Sequence, residues 1–238
     1  MRRWLDADAL TGKRYLDVGS GSGLFSLAAR RLGAIVYSFD FDADSVACTR
    51  ELRRRFFADD AHWTVEPGSI LDREFLARLG SFDIVYSWGV LHHTGDLWQA
   101  VENTLGLVAP DGAVMLAIYN DQGPRTARWR RLKQFYNWLP PKLRWLALAP
   151  GFARLWGPTI LRDTLRGRPL RSWKNYGSER GMSAWRDVVD WVGGWPFEVA
   201  TPEQVFDFCR SRGFTLTALK TCGGGHGCNE FAFRKQML

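Results

Sequence analysis

The sequence predicts an α/β fold: a seven-stranded, mostly parallel sheet with an antiparallel last strand and a helical insertion. Three observations carry that expectation. Residues 14–119 alternate short apolar runs with stretches of helical spacing, the rhythm of a parallel sheet built from right-handed crossovers. Residues 121–199 break the rhythm with a stretch rich in tryptophan, arginine and proline. From Thr201 the alternation returns, and a short glycine-rich link joins its last two apolar runs, as in an antiparallel pair.

The elements follow in order. RYLDVGS, residues 14–20, is the first strand and ends in a glycine turn. Leu24, Leu27, Ala28 and Leu32 then recur at helical spacing, and Gly33 is the stop. AIVYSFD is the second strand, ADSVACTRELRRRFF the second helix and WTVEPGS a short third strand. FDIVYSWG is almost continuously apolar and reads as a fourth strand buried on both faces. LWQAVENTLGLVA is a helix closed by the turn PDG, and AVMLAIYN is the fifth strand. The next stretch holds Trp129, Trp138, Trp145, Trp156, Trp173, Trp185, Trp191 and Trp195. No parallel strand is legible there, so helices and loops packed over one end of the sheet are expected. Thr201 then stands as an N-cap, Pro202 at the first helical position and Gly213 as the stop. FTLTALKTC is the sixth strand, parallel to the first five, and CNEFAFRK returns between it and the fifth. The expected division is a core of residues 1–120 and 200–238, with a helical, tryptophan- and arginine-rich insertion at 121–199 that would be the lid over the substrate.

Composition narrows the classes. A chain of 238 residues with 46% hydrophobic content can bury a full core. Cys48, Cys209, Cys222 and Cys228 are too few for a disulfide framework and point to a reducing compartment. Cys222 and Cys228 lack the paired spacing of a zinc site, so no metal is expected. No apolar run reaches the ~18 residues of a membrane span, and the start has no signal-peptide core; a soluble, cytoplasmic protein is expected. The net charge of +7 fits nucleic acid, an anionic surface, an acidic substrate or simply well-solvated helices. No lysine-rich tail or RNA-binding appendage favours the first.

The stretch that carries chemistry is LDVGSGSG, residues 16–23. Gly19, Gly21 and Gly23 lie between the first strand and the first helix, where a tight turn lets a ligand approach the backbone. Asp40 closes the second strand 23 positions after Asp17 (40 − 17), where a carboxylate can hold both hydroxyls of a ribose. Leu24 stands where a dinucleotide fold keeps its third glycine. Asp17 just before the loop would repel a pyrophosphate and suit an ammonium group.

With YSFDFDADSV, PGSILD and FDIVYSWGVLHH following in order, these residues resemble the successive motifs of the class I S-adenosylmethionine-dependent methyltransferases. The resemblance covers residues 14–119, and the last two strands extend it to the C-terminus. Ser20 and Ser22 depart from the family's common DVGCGTG. The resemblance implies a Rossmann-like sheet and S-adenosylmethionine as cofactor, released as S-adenosylhomocysteine. By position, Gly19, Ser20, Gly21 and Gly23 would wrap its methionine part, and Asp17 would face its ammonium directly or through water. Asp40 would grip the ribose, and Phe41 would pack on adenine with Ser69 and the backbone of Ile70 at its edge. Ser87 and Trp88 would border the transferred methyl. The C-terminal segment is similar to a bacterial subgroup loosely related to the ubiquinone-pathway O-methyltransferases.

Acceptor chemistry belongs at the carboxyl ends of the strands. His92 and His93 after the fourth strand are candidate general bases, or else caps and supports of the loop. Tyr119, Asn120 and Asp121 follow the fifth strand. His226 is carried by TCGGGHGCNEF, residues 221–231, either a simple turn or a catalytic loop. Gly223, Gly224, Gly225 and Gly227 are expected to supply positive φ angles there. Tyr176, Arg180, Met182 and Glu198 of the insertion region are candidate acceptor contacts. The expected function is methylation of a small molecule, aromatic or anionic, by a monomer or homodimer, with oxygen ahead of nitrogen and carbon as the atom modified. The alternatives are a nucleic-acid methyltransferase and a non-catalytic cofactor-binding partner protein.

Overall fold

The computed structural model describes residues 10–180 and 183–236, without the side chains of residues 179 and 180. The chain divides into two units, Met1–Asp121 with Glu198–Leu238, and Gln122–Phe197.

The first unit is built on β1 (Arg14–Val18), β2 (Ile35–Asp40), β3 (Trp63–Pro67), β4 (Phe82–Trp88), β5 (Val108–Tyr119), β6 (Phe214–Lys220) and β7 (Cys228–Lys235). They form one sheet in the order β3-β2-β1-β4-β5-β7-β6. The first five strands pair in parallel. β7 runs antiparallel to both β5 and β6, so β6 is parallel to β5, as the sequence predicts. The strand order reverses between β1 and β4, and a ligand crevice is expected outside their carboxyl ends. The helices are α1 (Leu24–Arg31), α2 (Ala43–Phe56), α3 (Arg73–Ala77), α4 (Leu97–Gly106) and α9 (Pro202–Arg210), with a 3₁₀ turn at Leu91–His93.

Side-chain alternation sorts the core onto two faces. Leu16, Val85, Leu116, Phe231 and Phe233 point to one face, with Leu97, Val101 and Leu105 of α4 and Val205 of α9. Tyr15, Val36, Ile84, Tyr86 and Met115 point to the other, with Leu27 of α1 and Val46 of α2. α9 begins at the predicted N-cap, where Thr201 accepts from Gln204 N; beyond that expectation, the Gln204 side chain accepts from Thr201 N at 2.9 Å, completing a capping box.

One boundary differs. The sequence places Leu107–Ala109 in the helix before β5, yet α4 ends at Gly106 and β5 starts at Val108. Phe82 of β4 pairs with Val108, and its N–H donates to Leu107 O at 2.8 Å. The PDG turn then forms as an excursion inside the strand, with Asp111 at φ 56°. Cross-strand pairing captured residues whose local pattern suits a helix equally well.

The second unit holds α5 (Pro124–Trp138), α6 (Trp145–Leu165), α7 (Arg171–Arg180) and α8 (Ala184–Gly193). Trp129 and Trp156 are buried within it, whereas Trp138 and Trp145 are 78% and 60% exposed. Lys133 is fully buried; it donates to Trp191 O, and its ammonium lies 4.7 Å from the Phe197 ring centre. Burial lowers its pKa to about 7. No helix among the described residues is long and apolar enough to cross a membrane.

Candidate functional site

The β1–α1 loop is shaped by its glycines. Gly19, Gly21 and Gly23 have φ of 75°, 53° and 76°, a region open to glycine at little cost. A Cβ on Gly19 would lie 2.4 Å from Val90 Cγ2, and one on Gly23 2.9 Å from Thr49 Oγ1. Nothing lies within 4 Å of where a Cβ on Gly21 would be, so the loop is packed at both ends and open at its middle. Thr49 of α2 supports it from below: its hydroxyl donates to Gly21 O at 3.1 Å and lies 3.0 Å from Ser20 Oγ. Gly23 starts α1 without a side-chain cap of its own, and in the first turn the Ser26 N–H is taken by Asp17.

Asp40 closes β2 beside this loop. Its Oδ2 accepts from Gly21 N at 2.8 Å and its Oδ1 from Asp42 N at 2.9 Å. Each carboxylate oxygen keeps a further acceptor position. Phe41, next along, is 86% exposed, an open ring face at the same edge.

Asp17 lies beneath the loop. It is 2% exposed and accepts from Ser26 Oγ beneath the loop. Ser26 Oγ lies 2.7 Å from Ser38 Oγ, which in turn accepts from Trp63 Nε1 at 3.0 Å. Burial raises the Asp17 carboxyl to about 7, against the opposing bonds from Ser26. Asp17 is therefore the end of a buried polar chain and acts on the loop from inside the fold.

Ser69 and Ile70 follow β3. Ser69 Oγ accepts from Leu71 N at 3.2 Å, while the Ile70 carbonyl accepts from Asn103 Nδ2 at 2.7 Å. Ser87 is buried and donates to Val18 O at 3.3 Å, tying β4 to β1. Trp88 is half-exposed and meets Phe25 of α1 edge-on at 5.2 Å. Phe25, Tyr86, Trp88, Met115, Ala117 and Glu230 line a cavity of about 140 Å³ on that side of the sheet.

The two histidines have separate settings. His92 is fully buried, its Nδ1 accepts from Tyr119 N at 3.3 Å, and its carbonyl accepts from Glu198 N at 3.0 Å. Its ring lies 3.8 Å from the Tyr119 ring. An accepting Nδ1 leaves the proton of neutral His92 on Nε2. His92 thus fastens the end of β5 and residue 198 to the turn after β4. His93 is partly exposed and meets Tyr119 edge-on at 5.3 Å. Ala200 N donates to Tyr119 O at 3.0 Å, and Asp121 N to Ala200 O at 3.2 Å, so Tyr119, Asn120 and Asp121 are held in one short ladder.

The glycine turn is anchored at the same edge. Asn229, 1% exposed, donates to Asn120 Oδ1 at 2.9 Å and accepts from Cys222 N at 3.1 Å. Asn120 N donates to Gly227 O at 3.1 Å. Gly223, Gly224 and Gly227 have positive φ, but Gly225 does not; its N–H closes the turn onto Cys222 O at 3.1 Å. His226 is exposed in this turn. The sequence reading missed Thr49, Ser26, Ser38 and Asn229. Asn229 left one signal: asparagine is disfavoured inside a strand.

Of the acceptor contacts expected from the insertion, Tyr176 belongs to the helical unit, where its hydroxyl donates to Asp187 Oδ2 at 2.6 Å and its ring abuts Trp156. The Arg180 side chain and Met182 lie outside the described residues. Among the described residues no cluster of histidine, cysteine, aspartate and glutamate is placed to hold a metal ion.

A family model described as a methyltransferase domain matches residues 2–157. The ubiquinone biosynthesis O-methyltransferase of Rhodopseudomonas palustris (strain TIE-1) is 31% identical over 111 residues, 47% of this chain and 42% of that protein; the match spans less than half the relative's length. Magnesium protoporphyrin IX methyltransferase from Synechocystis PCC 6803, solved with bound SAH, superposes with a TM-score of 0.58 at 14% identity, over 98% of this chain and 80% of that one. The 1,6-didemethyltoxoflavin-N1-methyltransferase of Burkholderia thailandensis, solved with 1,6-didemethyltoxoflavin and S-adenosylhomocysteine, superposes at 0.54 and 12% identity, over 95% and 72%. At these identities the superpositions speak for the fold. The family model speaks for descent, since it covers well over half of the 238 residues: the chain belongs to the methyltransferase-domain family, in the class I S-adenosylmethionine-dependent group.

Proposed function

We propose that the protein uses S-adenosylmethionine to methylate a hydroxyl of a small molecule. The observation that carries the cofactor is Asp40 at the tip of β2, bonded to the open middle of the glycine loop. Asp40 would hold the ribose, the exposed ring of Phe41 would pack on adenine, and the N-terminal turn of α1 would face the methionine carboxylate. The open space over Gly21 leaves room for the backbone approach this needs. When bound, the cofactor supplies a methyl carbon on a positively charged sulfur for in-line displacement.

The chain's own residues then orient the acceptor and manage its proton. His93, partly exposed and edge-on to Tyr119, is the histidine we assign as general base for a hydroxyl. His92, sealed in the fold, is a positioning residue that fixes Tyr119. Tyr119, Asn120 and Asp121 form the acceptor rim, with His226 on the turn anchored to it. This supports oxygen as the atom modified, since an amine acceptor loses its proton with less help.

The test is methyl transfer from labelled S-adenosylmethionine to a panel of phenols, catechols, sugars and amines, with mass spectrometry of the products. Products methylated on oxygen support the reading. Label found only on nitrogen or carbon overturns the acceptor assignment. A chain that neither binds S-adenosylhomocysteine nor labels any acceptor overturns the whole.

A further inference from the structure

Arg162, Arg166, Arg168 and Arg171 surround one cavity of about 450 Å³ in the helical unit, with Asp163, Ser172 and Asn175 completing its wall. We propose that this cavity binds a phosphoryl group, most favourably a pyrophosphate, of a phosphorylated small molecule or lipid headgroup. The site is independent of the methyl-transfer reading.

The cavity is held by a specific local structure. Asp163, 7% exposed near the end of α6, accepts from Ser172 N at 2.7 Å and from Ser172 Oγ at 3.1 Å. Its backbone carbonyl accepts from Arg168 N at 2.9 Å. One buried carboxylate thus staples the end of α6 to the start of α7 and fixes the turn that carries Arg166, Arg168 and Arg171. Gly167 and Leu170 at φ 68° and 60° let the chain fold back around the opening.

Charge is then left over. Among the described residues Asp163 is the one acidic residue in the lining; it is already bonded by Ser172, lies 3.9 Å from Arg162 and also feels the charge of Arg166. No ion pair engages Arg166, Arg168 or Arg171 among the described residues. Guanidinium groups gathered on a fixed turn repel one another and offer paired donors that match phosphate oxygens. A bare phosphate leaves much of about 450 Å³ empty, so a ligand with two phosphoryl groups, or one phosphoryl group on a larger body, fits better.

The experiment is calorimetric titration of the full chain with inorganic pyrophosphate and with orthophosphate at low salt, beside sedimentation with phosphatidylcholine vesicles containing phosphatidic acid. Pyrophosphate should bind more tightly than orthophosphate and raise the melting temperature by mass action. Arg166→Ser with Arg171→Ser should weaken binding about tenfold or more, while Arg128→Ser with Arg130→Ser, on exposed arginines of α5, should leave it within about twofold. Should the serine pair fail to fold, Arg166→Lys with Arg171→Lys keeps the charge and should still lose severalfold, because lysine cannot present the paired donors. Dependence on Arg166 and Arg171 with pyrophosphate supports a free phosphorylated ligand. The same dependence with vesicles alone supports a headgroup. No saturable binding of either probe, or equal loss in both serine pairs, overturns the proposal.

Discussion

The carboxylate of Asp40 accepts a hydrogen bond from the backbone N–H of Gly21 at 2.8 Å. This bond joins the tip of β2 to the middle of the loop leaving β1, two segments that meet because β1 and β2 pair in parallel. The residue that would hold a ribose therefore also sets the loop that would hold the methionine part, and the two halves of the proposed cofactor site would be preorganised together.

Asp17 should make both stability and cofactor binding depend on pH. Burial raises its carboxyl from 3.8 to about 7, so the folded state holds a proton that the unfolded chain has released. Its contribution to stability is fully present below about pH 4 and is lost as pH rises through about 7, by at most roughly 4 kcal/mol. Asp17→Asn should flatten that part of the stability-versus-pH curve in urea unfolding. An ammonium bound above the loop favours ionised Asp17, so wild-type affinity for S-adenosylhomocysteine should rise from pH 5.5 to 7, below the ~7.7–8.0 range of α-amino groups. The same rise in Asp17→Asn would clear Asp17 of the effect.

The histidines should separate by kinetics and stability. His93→Ala should lower kcat by about 10²–10⁴-fold with cofactor affinity kept, and shift the pH–rate profile. His92→Ala leaves Tyr119 N without its acceptor and opens a buried hole, so it should cost about 2–4 kcal/mol in urea unfolding. If His93→Ala retains the wild-type rate and pH profile, proton removal belongs elsewhere, and His226→Ala is the next variant to assay.

Asn229 couples the glycine turn to the residue after β5. Asn229→Ala deprives Asn120 Oδ1 of a donor and Cys222 N of an acceptor, at about 1–3 kcal/mol for buried groups. Amide exchange across residues 222–227 should speed up, while exchange within β1 and β2 stays as in the wild type. Unchanged protection in the turn would show that the glycines alone hold it.

Much of this was legible locally. Strand alternation, the N-cap at Thr201 and the glycine loop are short-range patterns, and short-range physics produces them. The support beneath the loop was not. Ser26 and Ser38 are ordinary small residues of a helix and a strand; the register that sets Asp17 beside Ser38 brings them under the same carboxylate. Thr49 is one polar position on a charged helix until the packing of α2 turns it toward Gly21. The start of β5 was misread because Leu107–Ala109 suits a helix and a strand alike, and Phe82 across the sheet decides between them. Asp17 shows the converse: its place in the motif was plain, but its burial depends on residues 9 to 46 positions further on (26 − 17, 63 − 17).

Calorimetric titration of S-adenosylhomocysteine into the wild type and into Asp40→Ala and Asp40→Asn tests the cofactor site most directly. The wild type should bind one equivalent. Asp40→Ala, lacking both acceptor oxygens, should bind at least about tenfold more weakly, and Asp40→Asn, which keeps one acceptor for Gly21, should fall between them. Equal affinity in all three proteins would contradict the assignment of Asp40 and, with it, the placement of the cofactor over the β1–α1 loop.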